Sequence, residues 1–584
     1  MRDAIKATDP IKQVESTNAS PSSRFAFETA FVAAIGGFLF GFDLGMIGAA
    51  NVYLRDQFQL SDAQFGFATA SAVLGCILGP GLGAWLCDAI GRKRTMLAAS
   101  ILLALSAIVT AVPDMLGSGS AESTMLVFNV FRFVGGMGVG LCSVASPMYI
   151  AEIAPARKRG AMGLMYQLAI VVGHAVAPLI AFVIVYILRV CYNVTEAALP
   201  DTAWLQAWRW MFFSETLCVV LFVAFVVRLP FSPRWLAEKD RFDEAEAVLA
   251  RVDGPDYARL EMAEIRSSLD AERGNWSQVF APGMRFALLA GILLTFFNNW
   301  TGWSVIGGYI PRLLELAGFN RESAIGNFVA VYVAMGLMTV VSLLLMDRLG
   351  RRPLWIVASL MMAAITCATG FLFYYEVTGW PILVILGLVT VPHGIALGGI
   401  PWLMMSEMFP TRLRAKAVAL TTTVLWIFIF SGVYLFPIIT GFSQQHLLTA
   451  RKVTLTTNTI SFHDANPDYL QQTGGDFDES GFRPGNQVTL IGASVPENNG
   501  TYTIASVGPE RLTLKRSAHL VNEPSGAEVT VQVGSVAPAF WLFTGICMLS
   551  VLFGLTIMPE TKDRTLEEIG ASWQKHEPQT NPTP

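Results

Sequence analysis

Asp43 stands in the stretch GGFLFGFDLGMIG (36–48), which is apolar, rich in glycine, and without a lysine or arginine within ten positions on either side. A carboxylate in such surroundings is costly unless it is neutralised, paired or given a task. Proton exchange is one such task. Burial disfavours the charged form, a neighbouring cation favours it, and a group held between the two can change protonation state during work. The charges at comparable depth in the same part of the chain are Arg132, in FRFVGGMGVG, and Glu215, in WRWMFFSE. The alternative for Asp43 and Arg132 is an ion pair that only fixes helix packing.

The elements that must position these groups are membrane spans. Of the 584 residues, 53% are hydrophobic and 14% charged, against about 25% charged in soluble domains. Apolar runs near the roughly 20-residue span length recur at 26–53, 63–87, 95–113, 124–152, 161–190, 206–229, 284–315, 322–346, 353–376, 380–406, 415–441 and 537–558. The expected fold class is an all-α membrane protein of twelve transmembrane helices with a small all-β insertion.

Basic clusters fall in alternate short loops: Arg92-Lys93-Arg94, Arg157-Lys158-Arg159, Arg348 with Arg351-Arg352, and Arg412, Arg414 and Lys416. The positive-inside rule puts these loops and both termini in the cytoplasm. Residues 1–25 are polar, lack a signal-peptide pattern and read as a disordered tail, and 559–584 read as a cytoplasmic C-terminal tail. The seven cysteines lie in or beside spans without CxxC spacing and read as packing residues. There is no GxxxxGK[ST] loop, nucleophile elbow or metal-ligand cluster. Neither an enzyme, a cofactor nor a nucleic-acid partner is expected.

A repeat divides the spans into two halves. Asp88-Ala-Ile-Gly91-Arg92-Lys93 after the second span matches Asp347-Arg-Leu-Gly350-Arg351-Arg352 after the eighth. Glu152-x-x-Pro155-x-x-x-Arg159 closes the fourth span as Glu407-x-x-Pro410-x-x-x-Arg414 closes the tenth. The organisation is then a six-helix bundle over 26–230, linker helices over 231–283, spans seven to eleven over 284–442, a β module over 443–536 and span twelve over 537–558. Two such halves usually enclose a midplane site and rock around it. In the insertion, KVTLTTNTISF, NQVTLIGAS, GTYTIASV, RLTLKRS and AEVTVQVG alternate like strands, and Asn498-Asn499-Gly500 reads as a hairpin turn. A small barrel serving as a lid or spacer, or as a carbohydrate-binding or docking module, fits this pattern.

Taken together, GGFLFGFD, GRKR, FRFVGGMGVG, PMYIAEIAPARKRG, WRWMFFSE, SPRWL, DRLGRR, PWLMMSEMFP and PETKDRTLEEI resemble, in this order, the sugar porters of the major facilitator superfamily. The resemblance covers the chain apart from the N-terminal tail and the β insertion. It implies that Asp43 carries a proton, Arg132 tunes it and Glu215 supports the relay. It also implies a cytoplasmic latch of Asp88, Arg92, Glu152 and Arg159 in one half and Asp347, Arg351, Glu407 and Arg414 in the other, with static helix capping as the alternative. Ala84 and Ala89 depart from the family's Gly and Arg.

For substrate, the resemblance points to Phe40, Gln167, His174, Asn298, Asn299, Ser304, Trp402 and Trp426. Gln167 and the two tryptophans match the family pattern. Asn298-Asn299 replace a Gln pair, Ser304 an Asn and Gly307-Gly308 a Tyr pair, and Leu425 and Ile429 flank Trp426 where polar groups are usual. Shorter and fewer donors discriminate against an ordinary hexose through unpaired hydroxyls, so the substrate class is a monosaccharide or polyol. His174 is either a substrate donor or a histidine packed on a neighbouring backbone group. The implied function is proton-coupled symport across a plasma or bacterial inner membrane, by a monomer in the lipid bilayer. The alternatives are an uncoupled facilitator and a non-transporting nutrient receptor.

Overall fold

The computed structural model describes residues 21–562 apart from 59, 118–119, 156–157, 192–205, 270–275, 410, 445–448, 466, 485 and 515–519. The first half consists of α1 (Pro21–Phe58), α2 (Asp62–Ile90), α3 (Arg92–Ala111), α4 (Ala121–Ile153), α5 (Arg159–Cys191) and α6 (Ala207–Val226). Linker helices α7 (Pro233–Glu238), α8 (Phe242–Asp253) and α9 (Pro255–Leu269) follow. The second half contains α10 (Pro282–Trp300), α11 (Trp303–Leu316), α12 (Arg321–Leu349), α13 (Arg351–Tyr374), α14 (Trp380–Leu388), α15 (Ile400–Glu407), α16 (Thr411–Phe442) and α17 (Ala537–Thr556). Among the described residues, eleven helical stretches are long and apolar enough to cross a membrane.

The expected seventh span is the exception. It is two helices, α10 and α11, parted at Thr301-Gly302, where Gly302 has φ +124°. Irregular backbone at membrane depth is tolerated where it is buried in protein or lines a cavity, and this break lies beside Asn298, Asn299 and Ser304. The tenth span is also interrupted, by a π-helical turn over His393–Leu397 between α14 and α15. Of the expected N-terminal tail, 21–25 begin α1, with Pro21 in a first-turn position and Arg24 paired to Glu28 at 2.7 Å; 1–20 lie outside the described residues. At the other end 559–562 are ordered and 563–584 lie outside the description.

The repeat read from the sequence is present in the backbone. Gly91 and Gly350 close α2 and α12 at φ +88° and +87°, a conformation that suits glycine alone among ordinary residues. It extends further than the sequence reading took it. Ser232 donates to Glu152, and Thr561 donates to Glu407 at 2.6 Å, so the segments after spans six and twelve repeat a hydroxyl on an acidic partner. Within the first half, helices meet through small residues. Gly136 of α4 lies on the Ala72 carbonyl of α2, and Gly41 of α1 on the Ile170 carbonyl of α5, the close approach that a membrane seam requires. Large side chains such as Trp85, Ile101, Leu126, Leu217, Leu337 and Trp380 are exposed. On a chain of this span content they form the lipid-facing belt of an integral, multi-pass membrane protein.

The β insertion contains β1 (Thr449–Thr457), β2 (Ile460–His463), β3 (Tyr469–Gln472), β4 (Gln487–Ile491), β5 (Gly500–Val507), β6 (Arg511–Leu514) and β7 (Val529–Gly534). They form one antiparallel sheet in the order β1-β7-β4-β5-β6-β3-β2. β1 and β2 occupy opposite edges yet only Asn458-Thr459 separate them, so the sheet curls until its edges approach. Among the described residues no ladder joins those edges, which corrects the expected barrel to a curled open sheet. Leu470, Phe477, Phe482, Val488, Leu490, Ile504, Leu512 and Val531 fill it.

Two expectations inside the module change. KVTLTTNTISF is not one strand, because Thr457 Oγ1 accepts from the Thr459 N–H and turns the chain. Asn498-Asn499-Gly500 is not a tight turn. Asn498 donates to the Glu523 carboxylate at 2.8 Å and Asn499 accepts from the Ala493 N–H at 3.0 Å, so both amides brace a longer loop. The stems meet where Ser443 Oγ donates to the Ser535 carbonyl at 2.7 Å.

Candidate functional site

The three intramembrane charges of the first half converge. Arg132 on α4 donates through Nη1 to Asp43 Oδ1 on α1, and both side chains are almost wholly buried. Glu215 on α6 is buried beside them, and the Phe212 ring, one turn earlier on α6, lies 5.1 Å from the Arg132 guanidinium carbon. The cluster is not saturated. Asp43 Oδ2, Glu215 Oε1 and Arg132 Nε and Nη2 are buried without a hydrogen-bond partner among the described residues. A buried acceptor left open is expensive, and on a carboxylate a proton is the smallest group that relieves it. Asp43 is also linked to the space between the halves. Phe40, one helical turn earlier on α1, puts its ring 5.4 Å from that of Trp426 on α16.

Around this contact the structure gathers most of the expected substrate residues. His174 on α5 bonds through Nδ1 to the Ile170 carbonyl at 3.0 Å and faces the rings of Phe40 and Tyr332 at 6.4 and 5.1 Å. The helix-packing bond and the ring cluster thus share one imidazole. Asn298 donates to the Leu397 carbonyl at 2.5 Å, tying the α10 break to the interrupted tenth span. Ser304 donates to Asn299 Oδ1 at 2.9 Å, and Asn299 donates to the Thr295 carbonyl at 2.9 Å. Trp426 is fully buried and its indole N–H is without a partner among the described residues. Gln167 is half-buried and Trp402 is exposed. Tyr332, Trp303 and His393 join the cluster although sequence reading passed over them: the Trp303 ring lies tilted against His393 at 5.5 Å and edge-to-face with Tyr332 at 5.6 Å. His393 is buried, with Nδ1 unpartnered among the described residues. The rule that singles out Asp43, an ionisable residue inside a span, points to His393 as well.

The two ends of the bundle differ. At the end carrying the β module, ion pairs cross between the halves: Arg321 Nη2 to Asp56 at 2.5 Å and Arg189 to Glu322 at 2.7 Å. Asn51 donates to the Gly308 carbonyl at 2.9 Å, and Phe65 meets Tyr309 with ring centroids 5.5 Å apart. At the end carrying the basic loops, ion pairs form within each half among the described residues. Arg92 reaches Glu152 at 2.8 Å, Glu238 of the linker at 3.5 Å and Asp88 at 3.7 Å. Arg351 reaches Glu407 at 3.3 Å, and Arg414 donates to the Phe409 carbonyl at 3.4 Å. The side chains of Arg159 and Asp347 lie outside the described residues. Behind Arg351, Glu560 accepts from the N–H groups of Arg351 and Arg352 at 3.1 Å each. Burial works against its charge, but these bonds hold the carboxyl below its usual range.

The cross-half pairs define an expected result. Partly buried ion pairs of this kind contribute about 1 kcal/mol each, so Asp56→Asn with Glu322→Gln, together about 2 kcal/mol, is expected to raise the population open at the module end roughly thirtyfold. Faster backbone deuteration over 48–58 and 303–316 would register it. Unchanged exchange in both segments would mean the pairs do not hold that end shut.

Comparison with known proteins shows which proteins the chain is similar to. The chain is 33% identical over 410 residues to the arabinose-proton symporter of Bacillus subtilis, covering 70% of this chain and 84% of that one. It is 30% identical over 439 residues to the D-xylose-proton symporter of Escherichia coli K12, covering 72% and 87%. In structure it is similar to the inward-open xylose transporter XylE of E. coli, with a TM-score of 0.67, 25% identity, and coverage of 94% of this chain and 100% of that one. The profile of the sugar (and other) transporter family matches residues 29–456. With two six-span repeats around a shared site and a family match over most of its length, the chain belongs to the sugar (and other) transporter family.

Proposed function

We propose that this protein is a proton-coupled symporter of a monosaccharide or polyol, working by alternating access. The observation that carries the reading is the buried Asp43–Arg132 pair one helical turn from Phe40, which meets Trp426 of the other half. Asp43 carries the proton, Arg132 sets its readiness to leave, and Glu215 supplies a second acceptor in the cluster. Phe40, Gln167, His174, Asn298, Asn299, Ser304, Trp402 and Trp426 bind substrate, with the aromatic rings taking its apolar face and the amides and hydroxyls its polar edge.

On this reading the basic loops and both termini are cytoplasmic and the β module is extracytoplasmic. The cross-half pairs at the module end, beside the within-half pairs described at the basic-loop end, then support an inward-facing state. In the outward-facing state Arg92, Glu152, Arg351 and Glu407, with Asp88, Arg159, Asp347 and Arg414, exchange partners across the halves and latch the cytoplasmic side. The working unit is a monomer solvated by bilayer lipid, in a plasma or bacterial inner membrane.

The test uses purified protein in liposomes loaded with a pH-sensitive dye, challenged with monosaccharides, polyols and inositols. Internal acidification on adding one compound is expected. Labelled uptake without acidification would replace symport by facilitated diffusion, and binding without uptake would replace both by reception.

A further inference from the structure

Where the β module sits on the second half, it leaves a cleft of about 350 Å³. One wall comes from the loop between α13 and α14, with Tyr375, Glu376 and Thr378; the other comes from the module, with Arg483 and Asn486; Gln444 of the module stem lines it too. These groups supply a carboxylate, a guanidinium, two amides, two hydroxyls and an aromatic ring. That mixture of donors, acceptors and one flat apolar face recognises vicinal hydroxyls on a carbon ring or chain. The volume is within the range of small-molecule sites, roughly 300–1,000 Å³.

Two features of Glu376 mark it as more than lining. Its φ is +55°, a left-handed conformation that is strained for a residue with a long side chain. Its Oε1 is buried without a hydrogen-bond partner among the described residues. Burial raises the carboxyl to about 7, against the pull of Arg483, so near neutral pH the group can donate to one hydroxyl or accept from another. Tyr375 beside it is half-exposed, and its ring is held by Phe371 at 6.4 Å and Tyr374 at 5.2 Å.

The cleft also leads somewhere. Leu316, Gln444 and Val536 line both it and a smaller cavity of about 30 Å³ that is bounded by Arg55, Phe65 and Tyr309. Phe65 and Tyr309 are the rings that meet across the halves at the module end. A ligand held in the cleft therefore stands next to the closed entrance of the central site.

We propose that this cleft is a second binding site, for a monosaccharide or polyol, that holds the ligand beside the module-end entrance before the central site opens. The proposal rests on the substrate class assigned above and is tested separately from transport. Equilibrium binding of labelled D-xylose, L-arabinose, D-galactose and myo-inositol is measured on the full-length protein in nanodiscs, with three variants. Glu376→Gly removes the carboxylate while suiting the backbone better than the native residue, so loss of fold is not an expected outcome. Asn486→Leu removes an amide from the opposite wall. Trp426→Ala disables the central site.

Two equivalents of one compound are expected on the native protein, falling to one in Glu376→Gly and in Asn486→Leu, and to one of different affinity in Trp426→Ala. A single equivalent that survives both cleft variants and disappears in Trp426→Ala would overturn the second site and leave the symport reading standing. A single equivalent lost in the cleft variants but kept in Trp426→Ala would support the cleft and remove sugar from the central site. No binding of any of the four would overturn the cleft proposal, and acidification by another compound in liposomes would still leave symport in place.

Discussion

Asp43→Asn is expected to lose accumulation against a gradient while retaining exchange of substrate across the membrane. With one proton moved per substrate, each pH unit across the bilayer is worth about 1.4 kcal/mol, or roughly tenfold accumulation. A two-unit gradient that supports about a hundredfold accumulation in the native protein should therefore support none in the variant. The amide keeps the shape of the carboxylate and an oxygen for Arg132, but it cannot bind and release a proton. Removing one member of a buried pair ordinarily costs about 3–5 kcal/mol through the charge left behind. Here Glu215 lies beside the same guanidinium and is buried with it, so with the asparagine oxygen two acceptors remain near Arg132 and the helices are expected to stay assembled. Counterflow of labelled substrate without a pH gradient reports on the intact carrier, and accumulation with a gradient reports on coupling. Native accumulation by the variant would assign the proton to another group, with Glu215 first in line.

Gly136→Val is expected to abolish the folded protein rather than slow it. A Cβ at this position would lie far inside van der Waals contact distance of the Ala72 carbonyl carbon and oxygen of α2. Backbone on the opposing helix cannot swing aside as a side chain can. The next turn of α4 is no freer, because Gly140 lies on the Cα of Gly79. Overpacking a core costs about 1–3 kcal/mol where neighbours can adjust, and a pinned seam places this variant above that range. Size-exclusion profiles of the solubilised protein should show aggregate in place of a single peak. A monodisperse variant with native thermal stability would mean that α2 and α4 are not held at this distance.

Much of this architecture is legible in the sequence because a bilayer imposes strong rules. Each span must be apolar for about 20 residues, each basic loop leaves a mark, and a charge such as Asp43 is conspicuous against its neighbours. What escapes these rules is geometry that depends on partners far along the chain. The break at Gly302 sits in a continuous apolar run, and glycine in a span more often marks a close contact than an interruption. His393 follows Pro392 in a stretch that reads as one helix, and only the π-helical turn and the Trp303 ring show that it faces the site. Asn498-Asn499-Gly500 has the local chemistry of a tight turn, but Glu523 and Ala493 offer its amides better bonds. Tyr332 is an unremarkable aromatic in a span until His174 is placed against it from the other half.

The hydrogen bond from Ser443 to Ser535 brings the two stems of the insertion to one point at the edge of the second half. To the helices on either side, the whole module is therefore equivalent to a single short turn. A graft with entry and exit this close can be gained, lost or exchanged in one recombination event without altering the path of a neighbouring span. It also has no lever arm of its own: whatever occupies this position moves with α16 and α17 as they tilt. A reporter domain inserted between the same two serines would accordingly ride on one half of the carrier and give a signal for each turnover.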